Sequence, residues 1–256
     1  MKEFDRLVEL IKVLRGENGC PWDRVQTLET LKPCLIEETA EVLEAMEGEP
    51  EEHKGELGDL LMNIVFQADI REDMGQFNIE DVSKEVCEKL IRRHPHVFID
   101  NNKKLTPEET LLNWEAIKKQ EKMHENRKSA IDGIPKYLPS LAKAQKMQKK
   151  ASKVGFDWDN VEDVIKKIYE EIDEVKEEIK NKDSKKISEE IGDLLFAVVN
   201  LSRFLDVDAN LALENTIKKF DRRFRYVESK CDMEKASLAE MDLLWEEAKK
   251  IEKNKN

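Results

Sequence analysis

A chain of 256 residues has room for one large domain or two ordinary ones, each with a core of its own. Charged and hydrophobic residues contribute 39% each, with only nine Gly and seven Pro, a balance that favours long amphipathic helices and argues against a sheet protein. The net charge of -12 excludes general affinity for nucleic-acid polymers or anionic membranes, so an anionic ligand would need a cation between it and the protein.

Residues 3–15 place Phe4, Leu7, Val8, Leu10, Ile11 and Leu14 on one helical stripe. Acids and bases alternate along it, unlike a secretory signal. "GENGCPWDRVQT" interrupts the pattern with Gly16, Gly19 and Pro21. Helices are predicted over 28–46, stopped by "EGEP", over 53–73 and over 79–93. "HPHVF" sets His94 and His96 about a proline with no third ligand, and both are read as structural. "LTPEE" opens a helix over 106–125 with Pro107 in its first turn. Residues 126–137, from "NRKSAIDGIPKYLP", read as a linker. The second half predicts helices over 138–153, 161–181, 184–205, 208–230 and 238–253, with "VGFDWDN" breaking the first from the second. The expected fold is all-α, two helical bundles of four or five helices each, spanning 1–125 and 138–256.

Two further features place the chain. No apolar run approaches the roughly 20 residues of a membrane-spanning helix. Cys20, Cys34, Cys87 and Cys231 are far apart and form no C-x-x-C pair, as expected of reduced thiols in a cytoplasmic protein.

The halves repeat one another. Glu37, Glu38 and Glu41 fall 133 positions before Glu170, Glu171 and Glu174. Glu56, Gly58, Asp59, Leu60 and Leu61 fall 134 before Glu190, Gly192, Asp193, Leu194 and Leu195, which predicts one residue added in the intervening turn. Lys89, Arg92 and Arg93 fall 130 before Lys219, Arg222 and Arg223. Register held through three helices indicates an internal duplication.

The repeated pattern is E-E-x-x-E, a turn, then E-x-x-D. Residues three apart share a helix face, so Glu38 with Glu41 and Glu56 with Asp59 would converge if the helices fold antiparallel. Glu171, Glu174, Glu190 and Asp193 repeat the arrangement. Four like charges repel, and a hard divalent cation relieves the conflict, since Mg2+ takes carboxylate oxygens and keeps several waters. Lys219 with Arg223, and Lys89 with Arg93, are four apart and could present two cations to an anion. Trp22, Trp158 and Trp245 lie beside charged residues and could stack on a base, although aromatic residues are more often core.

These residues resemble the all-α nucleoside triphosphate pyrophosphohydrolase family, and in it the two-domain MazG type. The stretches "GCPWDRVQTLETLKPCLIEETAEVLEA", "GELGDLLMNIVFQADI", "GIPKYLPSLAKAQKMQKKASKVGFDW" and "EEIGDLLFAVVNLSRFL" carry the likeness over nearly the whole chain. The resemblance implies cleavage of nucleoside triphosphates to the monophosphate and pyrophosphate, dependent on Mg2+ (or Mn2+), on a homodimeric scaffold. Its metal ligands map onto Glu38, Glu41, Glu56 and Asp59, and again onto Glu171, Glu174, Glu190 and Asp193. Its nucleotide contacts map onto Lys219, Arg223 and Trp245, with Lys118 of "NWEAIKKQ" a further contributor and Lys89 and Arg93 the first-half counterparts. Glu38 or Glu171 would orient or deprotonate the attacking water. The second half is expected to be the principal catalytic one. The rival reading is a non-catalytic dimeric scaffold that senses nucleotides or Mg2+.

Overall fold

The computed structural model describes residues 2–99, 105–119 and 128–253, and every regular element among them is a helix. The chain divides into two compact units, Met1–Lys122 and Met123–Asn256. The first contains α1 (Lys2–Arg15), α2 (Pro21–Arg24), α3 (Leu31–Ala45), α4 (Pro50–Asp73), α5 (Ile79–Arg93), α6 (Pro95–Phe98) and α7 (Pro107–Lys119). The second contains α8 (Ser140–Ser152), α9 (Val161–Asn181), α10 (Ser184–Phe204), α11 (Ala209–Glu228) and α12 (Leu238–Lys253). Residues 120–125 of the expected fifth helix and the first two of the expected linker lie outside the described residues; 128–137 carry no helix. No described helix is long and apolar enough to cross a membrane.

The duplicated register is a duplicated architecture. In the first unit α3 packs along α4, α1 packs onto α4, and α7 packs on α5. In the second, α9 packs along α10, α8 onto α10, and α12 on α11. Two short helices were not expected. Each begins at a proline, Pro21 or Pro95, whose fixed φ suits a first turn, and four residues are too few to leave a periodic signal. The added residue is not simply in the turn. Beyond its acids α9 runs further than α3, to Asn181, while the connection shortens from residues 46–49 to residues 182–183.

Local chemistry fixes the helix ends. Asn78 and Asp81 form a capping box on α5. Asn160, Asp183 and Asp208 accept backbone N–H bonds at the starts of α9, α10 and α11. Lys182 takes a left-handed conformation (φ 59°), so the two-residue connection doubles α10 back along α9. That tight hairpin brings the two acid motifs of the second half together.

The units differ in what fills the space behind the acid helices. In the first, Ile11, Leu31, Val65, Phe66 and Ile70 form a closed core, with Phe4, Leu7, Val8, Leu28 and Ile79 packed against it. The Arg15 guanidinium lies over the Phe66 ring and is ion-paired to Asp69 and, at 2.7 Å, to Asp73. In the second, position 200 is Asn where the repeat has Phe66, and position 203 is Arg where it has Asp69. This position is ion-paired in both units, but to different places: Asp69 to Arg15 of α1, and Arg203 to both carboxylate oxygens of Asp157, at 3.0 and 2.5 Å. Phe66→Ala should therefore destabilise the first unit by about 3–5 kcal/mol. Urea denaturation of the two proteins measures this, and a loss below about 1 kcal/mol would show that the closed core does not depend on the ring.

Candidate active site

α9 carries Glu171 and Glu174 and α10 carries Glu190 and Asp193 on facing surfaces of the hairpin. Carboxylate oxygens of Glu171, Glu174 and Glu190 lie within 4.8 Å of one another. Oxygens across an octahedral Mg2+ shell are about 4.2 Å apart, so the triplet needs little movement to share one ion. Glu171 is only 5% exposed. One of its oxygens accepts from Lys167 Nζ at 2.8 Å, and Oε2 is buried without a hydrogen-bond partner. A buried, unsatisfied carboxylate oxygen is costly, and a cation or its bound water would satisfy it. Glu174 is held above the usual carboxylate range, first by its closeness to the Glu171 side chain, then by desolvation. Bonds to Glu170 and then Glu171 raise the Lys167 ammonium.

In the first unit the triplet is Glu38, Glu56 and Asp59, again within 4.8 Å. Glu38 is raised by desolvation and then by the charges of Asp59, Glu41 and Glu56. Glu41 lies outside the triplet but feels Glu56 and Asp59, and desolvation followed by those charges raises it too. Between them the two triplets use all four of the expected ligand positions.

What separates the copies is the space beside the acids. Glu171 and Asp193 line a cavity of about 710 Å³ with Lys167, Gln148, Trp158 and Asn200 among its other walls. That volume falls in the range of ligand sites for nucleotide-sized molecules. The first unit has Cys34 where the repeat has Lys167, and Phe66 where it has Asn200. Aligned on Trp22 and Trp158, Arg15 stands opposite Ala151, which lines the cavity. There Arg15 lies over the Phe66 ring, which is buried in the core. The cavity found in the first unit, about 490 Å³ between Leu28, Lys32, Arg71 and Phe77, touches none of the four acids.

The basic residues singled out from the sequence lie elsewhere in their own units. Lys219, Arg223 and Trp245 are on α11 and α12, and none lines the cavity. Arg223 bonds Glu252 through Nε (2.8 Å) and Nη2 (2.7 Å), its guanidinium 5.8 Å from the Trp245 ring, which packs on Phe220. Lys219 is half-buried beside them on α11. The first unit repeats this pairing, with Arg93 4.8 Å and Lys118 Nζ 4.9 Å from the ring of Trp114, and Lys89 half-buried on α5. Trp114 was missed by sequence reading, although "NWEAIKK" and "LWEEAKK" hold register 131 positions apart. Of the other tryptophans, Trp158 lines the cavity and Trp22 is exposed on α2. Lys167 was also missed, and its signal was plain: a lysine four residues before Glu171 on the same face.

A paired-helix bundle whose hairpin gathers acidic side chains, built twice in one chain, defines an all-α, metal-dependent nucleotide hydrolase. The chain belongs to the MazG nucleotide pyrophosphohydrolase domain family, which matches residues 26–98 and again 159–227. It is 44% identical over 261 residues, 98% of this chain and 99% of the relative, to the nucleoside triphosphate pyrophosphohydrolase of Escherichia coli strain K12. It is 45% identical over 252 residues, 96% and 95% of the two chains, to the nucleoside triphosphate pyrophosphohydrolase/pyrophosphatase MazG of Thermotoga maritima.

The raised acids set a pH dependence. A carboxyl whose folded pKa exceeds its unfolded one contributes stability that is present below the unfolded value and lost as pH rises through the folded value. Glu38, Glu41 and Glu174 therefore weaken the cation-free fold as pH climbs from about 4 towards neutrality. Mg2+ should raise the melting temperature more at pH 7.5 than at pH 5, relative to protein in chelator. Melts showing an equal or larger Mg2+ effect at pH 5 would refute this.

Proposed function

We propose that the protein releases pyrophosphate from nucleoside triphosphates by hydrolysis at the α-phosphorus, chiefly in the cavity of its second unit. Membership of the family makes it a nucleoside triphosphate pyrophosphohydrolase. The observation that carries the assignment of the site is the buried Glu171 carboxylate, with Oε2 unpartnered, in the wall of a cavity of about 710 Å³. Glu171, Glu174, Glu190 and Asp193 would hold Mg2+ or Mn2+, and Glu38, Glu41, Glu56 and Asp59 are the equivalent ligands of the first unit. When bound, the cation neutralises the polyphosphate and supplies Lewis-acid stabilisation of the leaving pyrophosphate.

The chain's own groups do the rest. Glu171 orients the attacking water and takes its proton while the bond between the α-phosphorus and the bridging oxygen breaks; Glu38 is its counterpart. Lys167, already beside Glu171, limits the charge that the acids present to an anionic substrate. Gly192 precedes Asp193 on α10, and a side chain there would meet nothing within 4 Å, so the chain leaves this surface open beside the acids.

The working unit is a homodimer of a cytoplasmic enzyme. Ile36 and Leu43 on α3, Met46 just after it, Leu57 on α4 and Leu195 on α10 are all largely exposed in the single chain, more apolar surface than a monomer ordinarily leaves in water. Lys219, Arg223 and Trp245, which lie outside the cavity of their own chain, are assigned to the polyphosphate and base across that dimer. Lys118, Lys89 and Arg93 are the first-unit equivalents. Light scattering should give at least twice the chain mass of 29.9 kDa, and a monomer at micromolar concentration would sink the dimer.

Asp193→Asn keeps the side chain's size but removes a ligand charge, and should cost about a thousandfold in kcat on any triphosphate. Asp59→Asn should cost less than about tenfold, because none of its unit's four acids lines the cavity described there. Pyrophosphate release by both variants decides between the units, and equal losses would mean two working sites. Full activity in excess chelator, or orthophosphate as first product, would overturn the chemistry itself.

A further inference from the structure

Two glutamines one turn apart on α8 are treated differently by the fold. Gln145 is satisfied at both ends: its amide nitrogen donates to the Val207 carbonyl at 2.7 Å and its oxygen accepts from Ala209 N–H at 2.9 Å. Gln148 is satisfied at only one. Its Nε2 donates to the Phe196 carbonyl at 2.8 Å, while Oε1 is buried with no partner. The residue is 7% exposed and lines the large cavity. A backbone carbonyl can only accept, so the amide cannot be turned about to hide its oxygen. The fold thus holds a lone acceptor in the cavity wall.

Asn200 is its complement. Arg203 Nε donates to Asn200 Oδ1 at 2.9 Å while the two terminal nitrogens of Arg203 hold Asp157. A guanidinium has no acceptor, so the Asn200 oxygen must face it and the NH2 is left for other partners. Asn200 lines the same cavity, as do Trp158 and Phe196, two aromatic faces. Glu171 and Asp193 belong to that cavity too. One wall set is therefore ionic. The other combines aromatic faces with a fixed acceptor and a fixed donor.

We propose that Gln148 and Asn200 are the residues that read the nucleobase, Gln148 Oε1 accepting an N–H from its hydrogen-bonding edge and the Asn200 amide donating to the neighbouring acceptor. The inference rests on the cavity being the triphosphate site. Every common nucleobase presents an N–H beside an acceptor on one edge, so the pair recognises a base as such. A ligand without that N–H leaves the Gln148 oxygen buried and unpaired, and such mismatches are where hydrogen-bonded sites discriminate most strongly.

The test uses the full-length protein, Mg2+, the four ribonucleoside triphosphates, and purine riboside triphosphate, which is ATP without its amino group. The wild-type protein should turn over purine riboside triphosphate at least about tenfold less efficiently, in kcat/KM, than one or more of the four. Gln148→Met, which keeps the length but offers no comparable acceptor, should remove that preference by lowering kcat/KM for the N–H-bearing substrates alone. The proposal is overturned if the wild type shows no preference, or if Gln148→Met lowers all five equally. The wild-type comparison stands even if the variant fails to fold. Failure to release pyrophosphate from any of the five would instead remove the underlying assignment of the site.

Discussion

Carboxylates brought together on one helical hairpin repel, and the rest of each unit is arranged around that conflict. Glu171, Glu174 and Glu190 crowd within 4.8 Å, with one Glu171 oxygen buried and unpaired. Helix propensity tolerates the acids, but nothing in propensity explains why they should face one another. In a purely structural protein such a cluster would be dispersed or paired with arginine, since each uncompensated charge costs stability. Among the described residues, Lys167, 2.8 Å from Glu171, sets one positive charge against the triplet. The remaining deficit is what a divalent cation would fill, so the hairpin trades stability of the empty protein for affinity when loaded.

The duplication shows how one scaffold yields two different interiors. Both copies keep the acid hairpin and both ion-pair the equivalent position of its second helix, Asp69 in one and Arg203 in the other. Exchanging the charges changes where the long side chain originates. In the first unit the guanidinium comes from α1 and lies over Phe66. In the second it rises from α10 and reaches outward to Asp157 in the loop after α8, with Ala151 left on the facing helix. Arg15 and Phe66 give way to the smaller Ala151 and Asn200, both in the wall of the second unit's cavity. In a close-packed core such a loss of side-chain volume is where space can open.

The outer helices carry a second conserved device of a different kind. Arg223 over Trp245 and Arg93 over Trp114 hold α12 on α11 and α7 on α5 through a cation–π contact. In the second copy Glu252 completes the contact, its acidity strengthened by Arg223. The ring and the carboxylate together fix the Arg223 guanidinium in place.

Much of this was legible in the residues alone. Amphipathic periodicity and capping residues determined ten of the twelve described helices, with most boundaries within a few positions, because Asn78, Asn160, Asp183, Asp208 and the prolines act locally on the backbone beside them. Doubled spacing determined the repeat, and with it the acid quartets and the Arg/Lys pairs, because the i, i+3 relation is a property of any helix. Tertiary structure decided the rest. That Glu171 is buried and Glu174 exposed, that Gln148 rather than Gln145 is left with an empty acceptor, and that Phe66 closes what Asn200 leaves open all depend on which side chain of a neighbouring helix arrives there. Burial and hydrogen-bond satisfaction are pair properties of residues 48 to 64 positions apart, such as Gln148 with Phe196 and Gln145 with Ala209. No local rule reads them.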